Sequence, residues 1–271
     1  MDELDIKWEN LLLSIRQMKR VAVAFSAGVD STLLLEASRE ALGNNVLAIT
    51  GRLAAFPLSE ADEAERFCRL SGIKQVSAEV DQLAIPHFAD NPPDRCYICK
   101  KALFTEFINT ARENGFSILL EGSNADDVND YRPGMRAVAE LGVKSPLKTF
   151  GFTKQEIRKM SKRLGLPTHN KPSLACLATR FPYGERITSE KLAAVDNAER
   201  FLRGLGFGQA RVRCHGNLAR IEVEQNLITE ITRPEIRRKI YRLFESLGFL
   251  YTSVDLNGYQ TGSMNKQLNL K

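Results

Sequence analysis

"VAVAFSAGVDSTLLL", residues 21–35, is the stretch on which the fold turns. An apolar run, Val21 to Phe25, enters the small residues Ser26, Ala27 and Gly28, and an apolar helical pattern follows at once. Strand, tight turn and helix in this order open an α/β domain. In such a sheet, ligands bind beyond the carboxyl ends of the strands. There the first N–H groups of a helix, backed by its dipole, attract an anion. The turn has no Gly-Lys-Ser or Gly-Lys-Thr ending, so it places no lysine of its own on β- and γ-phosphates. Ser26 and Ser31 offer hydroxyl donors, and Gly28 lets the backbone come close. Asp30 is the odd member, because a carboxylate beside phosphate is repulsive unless a cation lies between them. It reads as a magnesium ligand or as a partner of one. The plainer alternative is a strand-to-helix turn whose small residues only permit tight packing.

Working outward, residues 4–19 place apolar side chains at helical spacing. Strands are expected at 21–25, 46–51, 75–80 and 117–121. The first, second and last are nearly continuous hydrophobic runs, which suit strands buried on both faces of a parallel sheet. Helices at 30–42, 59–71 and 100–114 separate them, and another is expected at 153–164, opened by Thr153 with Glu156 in capping-box position. The pattern predicts a doubly wound parallel α/β sheet, Rossmann-like in plan. After about residue 185 it changes: a helix at 188–204, strands at 209–214 and 218–224 joined by "HGN", a helix at 233–246 and a strand at 249–255. This is a small α+β unit, with "RFPYGER" at 180–186 as the junction, so the expected domains are 1–180 and 181–271.

The chain has 271 residues, 43% of them hydrophobic, enough for a full core. Its net charge of +5 suits a small anionic substrate and hints only weakly at nucleic acid. The N-terminal "MDELDIKWEN" is not a signal peptide, and no apolar run approaches spanning length, so a cytoplasmic protein without membrane contact is expected. Cysteines 68, 96, 99, 176 and 214 form no disulfide framework and read as thiols, metal ligands or nucleophiles.

Residues 26–31 resemble the loop of the N-type ATP pyrophosphatases, Ser-Gly-Gly-x-Asp-Ser, with Ala27 adding one methyl in place of the first glycine. The resemblance implies ATP cleavage between the α- and β-phosphates with magnesium, leaving AMP on a substrate oxygen. Four further stretches, "NPPDRCYICKKALF" (91–104), "EGSNADDVNDYRPG" (121–134), "RFPYGE" (180–185) and "RVRCHGNLARIEV" (211–223), together resemble the LarE-type sulfur transferases over nearly the whole chain. Those enzymes turn carboxylates of a pyridinium dicarboxylate mononucleotide into thiocarboxylates for the nickel-pincer cofactor. The first domain would then be the adenylating one, and the second would bind substrate and support a homo-oligomer.

The 121–134 segment follows a strand at the ligand-binding edge. There Asn124, Asp126 and Asp127 are candidates for nucleotide or magnesium, and Arg132 for phosphate. Arg211 and Arg213 alternate along a strand, so they face one side and can grip a phosphate. By resemblance that phosphate is the mononucleotide's, with Arg180 a lesser candidate. Glu199, Glu222 and Glu230 match positions where the family gathers carboxylates at a divalent metal between subunits, although helix-surface glutamates are usually just solvated. Lys100 and Lys101 either counter an anionic substrate or begin a solvated helix face.

The resemblance leaves two sulfur sources open. In one branch a single cysteine gives up its sulfur and is left as dehydroalanine; Cys176 is the nearest candidate, while the sacrificial pattern itself falls on Ala175. In the other, three cysteines hold a [4Fe-4S] cluster with one open iron, and Cys96, Cys99 and Cys176 supply three thiols. Zinc on the Cys96–Cys99 pair would want further ligands, which only the scattered histidines 87, 169 and 215 supply. Cys68 faces the core in its helical pattern, and Cys214 reads as packing. Rival readings are a tRNA thiolase, an amide-forming synthetase and a nucleotide-binding protein without catalysis. The chain has no spare RNA-binding part for the first, and three cluster thiols go unexplained by the second.

Overall fold

The structure, a computed structural model, describes residues 2–56, 58–129, 134–172, 175–260 and 262–268, and only the backbone of residues 58, 59, 128, 129 and 266. The chain forms two compact units, Met1–Asp81 with Cys96–Leu174, and Gln82–Arg95 with Ala175–Lys271. The second unit thus starts ahead of the expected 180/181 boundary and also takes in residues 82–95. Hydrogen bonds account for that excursion. The Gly184 N–H donates to the Asn91 carbonyl at 2.9 Å and that of Ile187 to Ala89 at 2.8 Å. The Asn91 side-chain amide reaches the Pro182 carbonyl at 2.7 Å, and Arg95 reaches that of Ala178 at 3.0 Å.

In chain order the first unit contains α1 (Glu3–Gln17), β1 (Val21–Ala24), α2 (Val29–Leu42), β2 (Val46–Arg52), α3 (Leu58–Ser71), β3 (Lys74–Glu79), α4 (Arg95–Glu113), β4 (Leu119–Leu120), α5 (Gly134–Glu140), α6 (Pro146–Thr149) and α7 (Lys154–Arg163). Every strand pair is parallel, in the order β3-β2-β1-β4. Side-chain alternation divides each strand between two cores. Val21, Val23, Val46, Ala48 and Leu120 face the cluster built by α1, α2, α3 and α7. Ala22, Leu47, Ile49 and Leu119 face Phe104, Phe107 and Ala111 of α4 and Val138 of α5. The sheet is therefore covered on both faces, as the apolar runs imply. Beyond sequence reach was the order: from β1 the chain winds outward through β2 and β3, then returns to β1's other side. That reversal makes the carboxyl ends of β1 and β4 the switch point where such sheets bind ligands.

α1 seals one face of the sheet through Leu4, Trp8, Leu11, Leu12 and Ile15, spaced for one helical stripe. Asp2 caps it: its carboxylate accepts the Asp5 N–H at 2.9 Å, and that of Asp5 accepts the Asp2 N–H at 2.8 Å. Arg163 of α7 binds the Asp2 carboxylate and, at 2.9 Å, that of Asp5. Arg163 first, and then the Asp5 N–H, hold the Asp2 carboxyl well below the usual carboxylate range. A folded-state pKa below the unfolded value stabilises fully above the unfolded one and is lost as pH falls through the folded one. The difference in Tm between the wild type and Asp2→Asn is therefore expected to be present at neutral pH and to narrow below about pH 4. Calorimetry across that range checks it, and a difference independent of pH would dismiss the charge effect.

The second unit contains α8 (Ser189–Gly204), β5 (Arg211–His215), β6 (Leu218–Glu222), α9 (Ile228–Ile231), α10 (Pro234–Ser246) and β7 (Tyr251–Val254). Its sheet runs β5-β6-β7, with β5 and β6 antiparallel and β6 and β7 parallel. The "HGN" turn joins the antiparallel pair, with Gly216 at φ +61°, and α10 makes the crossover that a parallel pair needs. Among the described residues, no helix is long and apolar enough to cross a membrane.

Candidate functional site

β1 ends at Ala24 and α2 starts at Val29, so residues 25–28 carry the whole turn. Phe25 still bonds to β2, its N–H donating to Ile49 at 2.8 Å. Ala27 then reverses the chain with φ +53°. A side chain in that left-handed region costs about 1–2 kcal/mol, so replacing the family's glycine does more than add a methyl. Gly28, the N-cap of α2, has φ −79°, open to any residue. What glycine provides there is room: a Cβ would stand 3.4 Å from Ser26 Oγ and 3.9 Å from Ser31 Oγ. The two hydroxyls lie 3.1 Å apart, and Ser31 also accepts the Ser26 N–H at 3.3 Å. Two hydroxyls, a space without a Cβ and the start of a 14-residue helix form a cradle that fits a phosphate.

The second wall comes from the segment after β4. Gly122 lies so close to α2 that a Cβ on it would stand 3.0 Å from the Ser31 amide nitrogen. Asn124 donates to Asp30 Oδ1 at 3.3 Å, and the Asn124 N–H is held by Asp127 at 3.0 Å. Asp126 accepts the Lys154 N–H at 2.8 Å and so helps cap α7, whose predicted Thr153–Glu156 capping box is present. Asn124 thus meets Asp30, whereas Asp126 and Asp127 shape the loop; Arg132 lies outside the described residues. Asp30 keeps a partly exposed carboxylate at the head of α2, and a single carboxylate beside phosphate oxygens is the kind of donor set magnesium takes.

Two lysines escaped the sequence reading. Lys154 donates to Asp30 Oδ2 at 2.5 Å. Lys171 donates to the Ala27 carbonyl at 3.1 Å and to Glu60 and Glu63 of α3 at 2.8 and 2.6 Å. Both arrive from more than a hundred residues away, so no local motif pointed to them, although Lys154 sits next to the recognised cap Thr153. Gly122→Ala tests the fit between the two walls: overpacking of this kind costs about 1–3 kcal/mol. ATP affinity is expected to fall together with stability, as read by calorimetry and nucleotide titration; unchanged binding would mean that the walls need not touch.

In the second unit, strand alternation sends Val212, Cys214, Ala219 and Ile221 into the core and puts Arg211, Arg213, Arg220 and Glu222 on the other face. Arg213 stands directly across from Arg220, and Glu222 reconciles them. Its Oε2 accepts Arg213 at 2.6 and 2.9 Å, and its Oε1 accepts Arg220 at 3.2 Å and Ser263 at 2.9 Å. Asp255 also binds Arg220, at 2.6 Å. Arg211 donates to the Ala210 carbonyl at 2.8 Å and lies over the Tyr259 ring. Burial, with Arg180 adding its charge, pushes the Arg211 guanidinium below the ordinary arginine range. Arg180, 1% exposed, makes a two-pronged pair with Glu199 of α8 at 2.6 and 3.0 Å. Glu199 Oε1 also accepts the Val212 N–H at 3.0 Å, satisfying the outer edge of β5. Four arginines (180, 211, 213 and 220) against three carboxylates (Glu199, Glu222 and Asp255) leave the cluster one positive charge in excess.

Glu199 and Glu222 therefore hold arginines, and the partly exposed Glu230 pairs with Arg233 at 2.9 Å. Among the described residues of either unit, no three His, Cys, Asp or Glu side chains gather as a metal site. Glu199→Gln leaves a buried guanidinium without its counter-charge and is expected to cost about 3–5 kcal/mol, whereas replacing the pair by Arg180→Met with Glu199→Leu costs much less. Urea unfolding of both variants checks the ranking, and equal losses would contradict it.

The cysteines separate by environment. Cys68 and Cys214 are buried, which pushes their thiols up to about 12 and about 11, so they stay protonated. Cys96 is exposed and Cys99 half-buried, three residues apart at the head of α4 and so neighbours on one side of it. Cys176, half-buried, opens the 3-10 turn Leu177–Arg180 in the second unit. Accessible thiols of this kind are soft donors that fit an iron–sulfur cluster. Of the neighbouring lysines, Lys101 binds Glu140 at 2.5 Å and Lys100 lies near the Phe104 ring.

A doubly covered parallel sheet whose first strand ends in Ser-Ala-Gly-Val-Asp-Ser is the architecture of the N-type ATP pyrophosphatases. No protein-family model matches the chain, but whole-length relatives do. It is 40% identical over 265 residues to an uncharacterised protein of Synechocystis sp., covering 98% of this chain and 99% of that one. It is 36% identical over 269 residues to the pyridinium-3,5-bisthiocarboxylic acid mononucleotide synthase of Lactiplantibacillus plantarum, covering 99% and 97%. A partial likeness, 27% identity over 57% of this chain, links it to the tRNA-specific 2-thiouridylase MnmA of Rickettsia prowazekii. The chain belongs to the LarE family of ATP-dependent sulfur transferases.

Proposed function

We propose that this protein activates a carboxylate of pyridinium-3,5-biscarboxylic acid mononucleotide with ATP and replaces its oxygen by sulfur. The observation that carries the reading is the Ser26–Ser31 cradle with Asp30 at its rim, within a chain alike over its whole length to a synthase of the bisthiocarboxylic product. In this reaction a carboxylate oxygen attacks the α-phosphorus, and the bond to the β-phosphate's bridging oxygen breaks. Pyrophosphate leaves with that electron pair. A sulfur nucleophile then adds to the acyl carbon, and AMP departs.

The N–H groups heading α2 and the hydroxyls of Ser26 and Ser31 bind the departing pyrophosphate, and Asp30 holds the magnesium that bridges its oxygens. Arg211 and Arg213, with Arg180 behind them, take the mononucleotide's phosphate: a dianion settles a cluster with surplus positive charge and relieves the strained Arg211 guanidinium. Cys96, Cys99 and Cys176 would hold a [4Fe-4S] cluster, which when bound supplies an open iron to carry sulfide. The other source of sulfur is Cys176 itself, spent in a single turnover.

Anaerobic reconstitution followed by assay with ATP, magnesium and the mononucleotide tests the proposal. Pyrophosphate and AMP are expected, with repeated turnover, iron and sulfide in the protein, and no product from Asp30→Ala. Orthophosphate as the first product would sink the adenylation step. An iron-free protein that stops after one turnover about 32 Da lighter, the mass of one sulfur lost in forming dehydroalanine, would move the sulfur source to Cys176.

A further inference from the structure

The Asp30–Lys154 pair presents a conflict. Asp30 is the carboxylate available to magnesium at the cradle, yet its Oδ2 is already held by the Lys154 ammonium at 2.5 Å and its Oδ1 by Asn124 at 3.3 Å. Magnesium binds oxygens at about 2.0–2.1 Å, and an ammonium cannot share that position with a second cation. Lys154 must leave when the metal arrives.

The surroundings show what can move. The Lys154 main chain is pinned: its N–H donates to Asp126 at 2.8 Å, and the Ala125 N–H donates to Phe152 at 2.9 Å, which joins the β4 loop to the head of α7. Its side chain is 31% exposed and has one carboxylate partner. Lys171, the other lysine at the loop, is 15% exposed and locked by two carboxylates and a carbonyl. Of the two, only Lys154 is free to exchange.

We propose that Lys154 is the phosphate-binding lysine that the loop lacks. In the nucleotide-free protein it neutralises Asp30. When magnesium and ATP enter, the metal takes Asp30, and the displaced ammonium swings on its fixed backbone to the β- and γ-phosphates, the part that leaves as pyrophosphate. A loop without a lysine in its own sequence thus acquires one from α7. The inference rests on the reading of Asp30 as the metal-linked carboxylate, and binding measurements test it apart from turnover.

Manganese binding to the nucleotide-free protein, followed by electron paramagnetic resonance, reads the competition. Lys154→Met is expected to bind manganese roughly two- to fivefold tighter than wild type, the worth of a partly exposed ion pair, while Asp30→Asn loses it. With magnesium present, the same Lys154→Met variant is expected to bind α,β-methylene-ATP about tenfold more weakly, the scale of one charge-assisted contact. Its affinity for AMP, which lacks the departing phosphates, stays unchanged, and Lys154→Arg restores much of the methylene-ATP binding. A lysine that merely supports the loop would weaken manganese, α,β-methylene-ATP and AMP together, and that outcome overturns the proposal. So does manganese binding in Lys154→Met no tighter than in wild type. Failure of the wild type to release pyrophosphate would count against adenylation alone and leave these binding results standing.

Discussion

The contact between Gly122 and the first turn of α2 is the constraint on which the site depends. At 3.0 Å from a would-be Cβ to the Ser31 nitrogen, the β4 loop and the nucleotide loop have no slack between them. That closeness follows from strand order. β4 returns to the free side of β1, with Ala22 opposite Leu119 and Val23 opposite Leu120, so the segments leaving the two strands emerge side by side. Asn124 then meets Asp30, Asp126 fixes the head of α7, and Lys154 comes within reach of the same carboxylate. One packing contact sets the place of several polar groups that are far apart in the chain.

The second unit solves a different problem. Three arginines on one face of a small antiparallel pair would repel one another, and Arg213 and Arg220 are cross-strand neighbours. Glu222, fully buried, divides its two oxygens between them, and Glu199 does the same for Arg180 and the edge of β5. Burying such groups is tolerable only because each has a partner. The arrangement still keeps a positive charge in excess, with Arg211 the least comfortable of the four. A preformed cationic face that asks for an anion suits a phosphorylated substrate better than a flexible surface lysine patch would.

The first unit's charges are organised the other way. Asp30 carries a negative charge where a phosphate must come, and Lys154 offsets it. Lys171 draws Glu60 and Glu63 toward the loop and braces the carbonyl of Ala27, the residue held at positive φ. Cations therefore surround a loop that contains none, which is consistent with a site built to release a highly charged leaving group.

Much of this was legible in the residues alone. Apolar runs at 21–25 and 46–51 required a sheet covered on both faces, Thr153 with Glu156 marked a helix start, and the spacing of Arg211 and Arg213 put them on one face. These are local properties: strand period, cap chemistry and turn residues act over a few positions. The Ser26–Ser31 loop was equally visible, since its parts are contiguous. What sequence could not supply was anything that depends on which strands are neighbours. The membership of residues 82–95 in the second unit, the approach of Gly122 to Ser31, and the pairing of Lys154 with Asp30, 124 residues apart, follow from the β3-β2-β1-β4 order and from packing across it. Strand order is decided by which apolar faces bury best together in the whole sheet, and that competition leaves no trace in any single stretch of chain.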